Sequence, residues 1–410
     1  MSDQNAGAEI AASNDLYWRR NLWVCLFGSF STVVSLTLLL PFLPLYVHQL
    51  GVSDPAAVVQ WSGIAFGATF FSAAVVSPFW GHLADRYGRK LMLLRASLGM
   101  AIAMSMIGLA ANIWQLVALR FLAGLLGGYA SAAVVLIATQ TPKDRSGWAL
   151  GTLASGVMAG NLVGPLIGGL LPSLIGIRNT FFCAGALIFV AFLATAALVR
   201  EAPLVPRERA AARGNWAAIP DRRPIVAMLL TGMLLMVANL SIEPIISVYV
   251  SELVERPDQV TFTSGLVMSA TALGSILSAS RLGKLADRIG HWRVLTICLL
   301  VAGVLILPQA VVTSAWQLIA LRFLVGLSLG GLLPCVAAVI RHNVPDGIAG
   351  RTLGYSVSAQ FAGQVVGPLL GGFVGGHLGL RAVFISTSAL LVAGAAFNLR
   401  TNRTVERGRL

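Results

Sequence analysis

Among the acidic residues of this chain, Glu243 has the most unusual setting, inside the apolar run VANLSIEPIISVYV. A carboxyl in low dielectric keeps its proton more readily than one in water, which suits a group that takes up and releases protons. Pro244 follows it and removes a backbone donor, so a helix through this run is interrupted and can turn carbonyls toward a cavity. Two arginines share the setting, Arg120 in LVALRFLAGLLGG and Arg322 in LIALRFLVGLSLGG. Arg120 could hold a substrate anion or tune a carboxylate, or it could serve packing through hydrogen bonds to carbonyls. Glu243 and Arg120 are the candidate proton-coupling residues, against the alternative that Glu243 sits near a helix end and is simply solvated.

A second charged cluster is GHLADRYGRK, Gly81 to Lys90. Asp85 and Arg89 are four apart, the spacing that faces two side chains on one helical turn, and Asp85 could also cap the positive end of a neighbouring helix. The cluster reads as a latch built from Gly81, Asp85, Arg86, Gly88, Arg89 and Lys90, with the alternative that the bases only anchor topology. A related segment carries Asp287 and Arg288, but His291 and Trp292 stand where Arg89 and Lys90 would, so that copy is expected to be weaker. Gly156, Gly160, Gly164 and Gly168 recur every four residues, with Pro165 beside them, and make one smooth helix face that permits close packing.

Soluble-enzyme chemistry has no foothold. The five histidines are scattered without a His-Glu-x-x-His pattern. Cys25, Cys183, Cys298 and Cys335 lie in apolar runs without paired spacing and read as small core residues rather than disulfides or metal ligands. No cofactor and no catalytic activity are expected.

The elements that must carry these residues follow from composition. Hydrophobic residues make up 57% of the 410 and charged residues 11%, against about 25% charged in soluble proteins, and the mean hydropathy is +0.81. The chain is predicted to be an integral membrane protein. Apolar runs of spanning length lie at Asn21–Val47, Trp61–Trp80, Leu91–Ala111, Trp114–Leu136, Trp148–Leu171 and Thr180–Val199, numbered here spans 1 to 6. After a polar stretch they resume as spans 7 to 12 at Pro224–Val250, Phe262–Ser280, Val294–Val312, Trp316–Ile340, Leu353–Gly375 and Ala382–Leu399. The first run is longer than a signal-peptide core and is expected to stay in the membrane. Bases fall in alternate connections. Only Arg178, Arg256 and Arg381 occupy the other set, which predicts both termini on the cytoplasmic side. The net charge of +13 is thereby explained without nucleic acid; a specific lipid patch is a minor alternative.

An internal repeat organises the spans. WQLVALRFLAG from Trp114 aligns without a gap on WQLIALRFLVG from Trp316, placing Arg120 over Arg322, and GHLADRYG from Gly81 falls on GKLADRIG from Gly283. One residue further in register, GPLIGG from Gly164 meets GPLLGG from Gly367, and Pro41 meets Pro244. The predicted fold class is an all-α membrane protein of twelve transmembrane helices, two six-helix halves related by a pseudo-twofold axis along the membrane normal. The expected layout is a tail at 1–20, a bundle at 21–200, a linker at 201–223, a second bundle at 224–400 and a tail at 401–410.

These motifs carry a family resemblance over nearly the whole chain. GHLADRYGRK resembles the G-x-L-A-D-R-x-G-R-K signature of the major facilitator superfamily, the segment around Arg120 is similar to that superfamily's helix 4 arginine motif, and GVMAGNLVGPLIGG from Gly156 resembles its antiporter-associated helix 5 motif. The runs PFLPLYVHQLG, SPFWGHLADRYGRKLMLLR, NIWQL and SGWALGTL look closest to a bacterial multidrug resistance branch of the drug:proton antiporter group. The resemblance implies a proton-driven exporter of amphipathic drugs in the bacterial inner membrane, a monomer with small-molecule substrates and protons as partners, its 81–90 loop locking against the start of span 11 near Gly350 and Arg351. It departs from several such antiporters in having no acid in span 1. A proton-coupled transporter of sugars or other metabolites has the same architecture and stays open as an alternative; a receptor or enzyme lacks its domain. A drug pocket is expected to be apolar and aromatic, and Phe30, Phe42, Tyr46, Phe66, Tyr129, Met158, Met236, Tyr249, Met268, Tyr355 and Phe361, with Arg322, are the candidate wall residues.

Overall fold

The computed structural model describes residues 2–142, 144–201 and 221–407, with the side chains of 2–16, 85, 346–347, 403 and 405–407 outside that description. Twelve helices are long and apolar enough to cross a membrane: Tyr17–Gln49, Pro55–Ala84, Arg89–Ile107, Ile113–Gln140, Ser146–Ile175 and Ile177–Leu198 are spans 1 to 6, and Arg223–Ser251, Pro257–Ile289, His291–Val311, Ala315–His342, Ile348–Leu378 and Leu380–Asn402 are spans 7 to 12. No strand occurs among the described residues. Most of the central stretch after Arg200, 202–220, lies outside the described residues.

Several spans are longer than their apolar cores because polar ends continue the helix beyond the hydrocarbon. Others are broken, and the breaks repeat. Span 1 is helical to Thr37, passes through a 3-10 turn at Leu40–Phe42 and resumes at Leu43, with Pro41 and Pro44 in the interruption. Span 7 is interrupted between Ser241 and Glu243, next to Pro244. A proline ring has no N–H to give and crowds the preceding turn, so both breaks follow from sequence. Span 4 divides at Gly127–Gly128, where Gly128 has φ +104, and span 10 divides at Gly330–Gly331, where Gly331 has φ +80. An L side chain is strained at such angles, and only glycine accepts them at no cost. The duplicated sequence thus reproduces its interruptions as well as its helices.

Two compact units emerge from the packing: residues 1–39 with 72–207, and residues 40–71 with 208–410. In the first, the glycine face of span 5 lies on span 1. A Cβ on Gly156 would approach Leu26 to 2.7 Å and one on Gly160 would approach Val33 to 2.9 Å, while Gly164 faces Thr37 and Val34 and Gly168 faces the Leu38 carbonyl. In the second unit the same device recurs between span 11 and span 7, where Gly363, Gly367 and Gly371 meet the backbone of Met233, Val237 and Ser241. The helix 5 glycines therefore have a packing role that is shared by both repeats.

The opening half of span 2 belongs to the second unit, and it uses the other face of span 11. Gly63 stacks on the Pro368 carbonyl and the Gly372 Cα, and a Cβ on Gly376 would meet the Gln60 amide nitrogen at 2.6 Å. Ser247 Oγ donates to the Pro41 carbonyl at 2.7 Å, tying the broken end of span 1 to span 7.

Candidate functional site

Glu243 opens the second segment of span 7, Glu243–Ser251, as the acid of its first turn. That position gives it the positive end of a short helix. Its Oε2 is buried and has no hydrogen-bond partner among the described residues. Arg322, in span 10 of the same unit, is 3% exposed. The Arg322 Nε is likewise buried without a hydrogen-bond partner. Opposite charges thus share one apolar interior without a salt bridge between them among the described residues. Arg120 belongs to the other unit, in the first segment of span 4, and is fully buried.

The 81–90 loop departs from the continuous helix that its Asp85–Arg89 spacing suggests. The helix of span 2 ends at Tyr87, Gly88 takes φ +95, and span 3 begins at Arg89, so Asp85 and Arg89 lie on separate helices. The glycine at the turn is the physical cause of the correction. The Asp85 side chain lies outside the described residues. Arg86 is exposed over the Tyr87 ring, and Gly81 has open space around it. In the second copy the same spacing across Gly290 leaves Asp287 Oδ1 3.6 Å from His291 Nε2, while Arg288 is exposed. Arg351, at the start of span 11, donates to Tyr355 Oη at 2.9 Å.

Two residues outside the sequence-derived set hold this region together. Glu201, just past span 6, accepts from the backbone N–H groups of Arg89 and Lys90, at 2.8 Å each. A carboxylate bridging the first two amides of a helix satisfies donors that have no partner within the helix and meets the positive end of its dipole. An acid at the mouth of an apolar run, in LVREAP, is the signal for it. Arg95 is the second. It falls within the Leu91–Ala111 run, and the structure sets it half-buried inside span 3. It donates to the carbonyls of Leu125, Leu126 and Gly127, and Trp80 Nε1 donates to Leu125 O at 2.8 Å. These are the carbonyls freed by the break in span 4, and a membrane interior offers them no water.

The proposed wall residues divide. Tyr46, Tyr129 and Tyr249 are each 1% exposed; Tyr129 Oη is 2.7 Å from Thr195 Oγ1, and Tyr249 Oη donates to Gln309 O. Phenols so enclosed and hydrogen-bonded are core groups. Phe42, Phe66 and Met268 are also buried. Phe30, Met236 and Phe361 are half-buried, and Met158 and Tyr355 are 41% and 36% exposed. Of the cysteines, Cys183 is exposed whereas Cys25, Cys298 and Cys335 are buried; a span in lipid has no need to turn a thiol inward. No group of three or more potential metal ligands occurs among the described residues.

The sequence profile described as Major Facilitator Superfamily matches residues 25–256 and 259–409. Multidrug resistance protein MdtG of Salmonella arizonae is 44% identical over 383 residues, which cover 93% of this chain and 95% of that protein. The MdtG of Salmonella paratyphi B is 44% identical over 388 residues, covering 94% and 96%. Among solved structures, a bacterial homolog of the human lysosomal transporter Spinster, inward-facing and unoccupied, superposes with a TM-score of 0.78 at 16% identity over 95% of this chain and 97% of that one. The nucleoside transporter NupG gives 0.72 at 14% identity over 92% and 99%. At such identities these two likenesses speak for the fold alone.

Proposed function

The chain belongs to the major facilitator superfamily, and from that premise we propose that it exports small amphipathic compounds, drugs among them, in exchange for protons by alternating access. Support for the substrate class is the identity with proteins named for multidrug resistance, carried along almost the entire length of both chains. The duplicated architecture supports the mechanism, because two like-oriented halves can open a shared pathway to one side at a time. Its work is transport rather than catalysis, and since one chain holds both halves it acts as a monomer. Both termini and the 201–223 linker face the cytoplasm of a bacterial cell, with the protein in the inner membrane, the 21–200 and 224–400 bundles forming the two halves and the GHLADRYGRK loop acting as the cytoplasmic latch.

The observation that carries proton coupling is the setting of Glu243. An apolar interior favours a neutral acid, while a nearby guanidinium favours the carboxylate. Glu243 has a buried carboxyl oxygen without a hydrogen-bond partner among the described residues, and Arg322 is buried in the same unit, so a proton on Glu243 can be held or released as the cycle changes its surroundings. Arg120, buried in the other unit, holds a substrate anion or tunes a carboxylate. The glycine face of span 5 supports the antiporter reading only through the resemblance of its motif.

Proteoliposomes with an imposed pH gradient test the proposal, with a panel of dyes, antibiotics and sugars. The expected result is gradient-driven movement of dyes and antibiotics, abolished in Glu243→Gln with substrate binding retained and kept in part by Glu243→Asp. Movement of sugars without drugs would replace the substrate class. Undiminished gradient-driven transport by Glu243→Gln would remove the carboxyl from the coupling role.

A further inference from the structure

Between the start of span 3 and the end of span 6 lies an open surface crevice of about 580 Å³, lined by Tyr87, Lys90, Leu91, Leu94, Arg200 and Glu201. We propose that this crevice binds the phosphate-bearing headgroup of an anionic membrane lipid. All six residues belong to one compact unit.

Lys90 and Arg200 border the crevice, and among the described residues the one carboxylate in its wall is Glu201. That carboxylate is already committed, since each oxygen accepts a backbone N–H of span 3. Arg20 shares an aromatic neighbour with Arg200: the guanidinium carbons of both lie 5.0 Å from the centroid of the Tyr17 ring. Arg20 Nε and Nη2 are buried and have no hydrogen-bond partner among the described residues. Guanidinium donors withdrawn from water and left unmatched are costly, so the group calls for an anion. Lys90 Nζ donates to the Ala196 carbonyl and Arg200 Nη1 to Tyr17 Oη. A lysine has three donors and an arginine five, so both keep capacity for a phosphate.

Depth and polarity then choose the source of that phosphate. Lys90 stands in the first turn of span 3 and Arg200 two residues beyond the end of span 6, the level at which both helices leave the apolar layer. Leu91 and Leu94 form the wall further into span 3, and Leu91 is 48% exposed. Cations above an apolar wall fit a molecule whose charged head continues into an acyl chain, whereas free phosphate would use only the rim. The inference rests on membrane insertion and not on substrate or coupling.

The test is native mass spectrometry of the purified full chain in detergent, titrated separately with phosphatidylglycerol, phosphatidylcholine and inorganic phosphate. Phosphatidylglycerol should be retained preferentially. Lys90→Gln and Arg200→Gln should each weaken its binding about fivefold. Leu94→Trp fills the crevice while leaving every charge in place, so it should also displace the lipid and decides the matter if a charge variant fails to fold. The proposal is overturned if phosphatidylcholine or inorganic phosphate binds as well as phosphatidylglycerol, or if Leu94→Trp retains the lipid like the parent.

Discussion

Arg95 lies against the face of Trp80, its guanidinium carbon 3.7 Å from the ring centroid, while both side chains donate to the same broken end of span 4. The pair joins three spans at one point: Trp80 comes from the end of span 2, one residue before the GHLADRYGRK loop, and Arg95 from span 3. Stacking fixes the plane of the guanidinium so that its donors meet successive carbonyls.

Arg95→Gln should therefore lower thermal stability in detergent by about 1–3 kcal/mol, the usual loss when charge-assisted hydrogen bonds to buried carbonyls are removed. Arg95→Lys keeps the charge but loses the planar fork, so it should restore only part of that loss. Amide hydrogen exchange at residues 127–132 should rise in both variants. Unchanged exchange there would show that the break in span 4 is held by its neighbours without the clamp.

Much of the scaffold was legible in the sequence because its determinants are local. Apolar run length gives the spans, and the duplicated prolines and glycines give breaks at Pro41 and Pro244 and at Gly128 and Gly331. What escaped depends on contacts between distant segments. Arg95 does not stand out near the start of its apolar run, because hydropathy cannot register that three carbonyls of another span await a donor. Glu201 lies more than a hundred residues from the amides it caps. Tyr46, Tyr129 and Tyr249 have the composition of pocket residues, but only the fold shows their hydroxyls turned into the interior. Glu243 and Arg322 are each conspicuous as charge in an apolar run, whereas their burial in the same unit is a property of the assembled fold.

Replacing Glu201 tests the anchoring of span 3. Glu201→Ala leaves the first amides of that helix without their carboxylate and should cost about 1 kcal/mol, as loss of a helix cap does. Glu201→Gln keeps an acceptor and should cost less. The difference between the variants should shrink in high salt, since the part that separates them is charge against the helix dipole. Equal stabilities for parent and both variants, measured by thermal melts, would show that the cap contributes nothing.

Side-specific labelling tests the orientation. Bases concentrate in alternate connections, so a cysteine placed near Asp54 or Asp258 should react with impermeant thiol reagents in intact cells, and one in the linker near Arg213 should react only after permeabilisation. Because Cys183 is exposed on span 6, the parent chain is the necessary control. Labelling of the linker position in intact cells would invert the topology.

The last prediction concerns the contact between spans 2 and 11. Gly63 rests on the Pro368 carbonyl and Gly372 Cα, a backbone-on-backbone approach that leaves no volume for a side chain. The neighbouring Gln60 amide reaches His377 Nδ1 at 3.4 Å. Span 2 belongs to the first sequence repeat and span 11 to the second, yet both lie here in one compact unit. In a transporter whose repeats part and rejoin, a contact of this kind has to separate during the cycle. Gly63→Leu should cost the packed arrangement about 1–3 kcal/mol, as overpacking does, and so lower its population relative to the parted one at least about fivefold. A Gln60→Cys, His377→Cys pair joined by a short thiol-specific linker reports that population directly. The linked protein should stop transporting and recover on reduction, while Gly63→Leu should reduce the yield of linking without preventing folding. Transport at the parental rate by the linked protein would mean that spans 2 and 11 stay together throughout the cycle and that the pathway opens elsewhere.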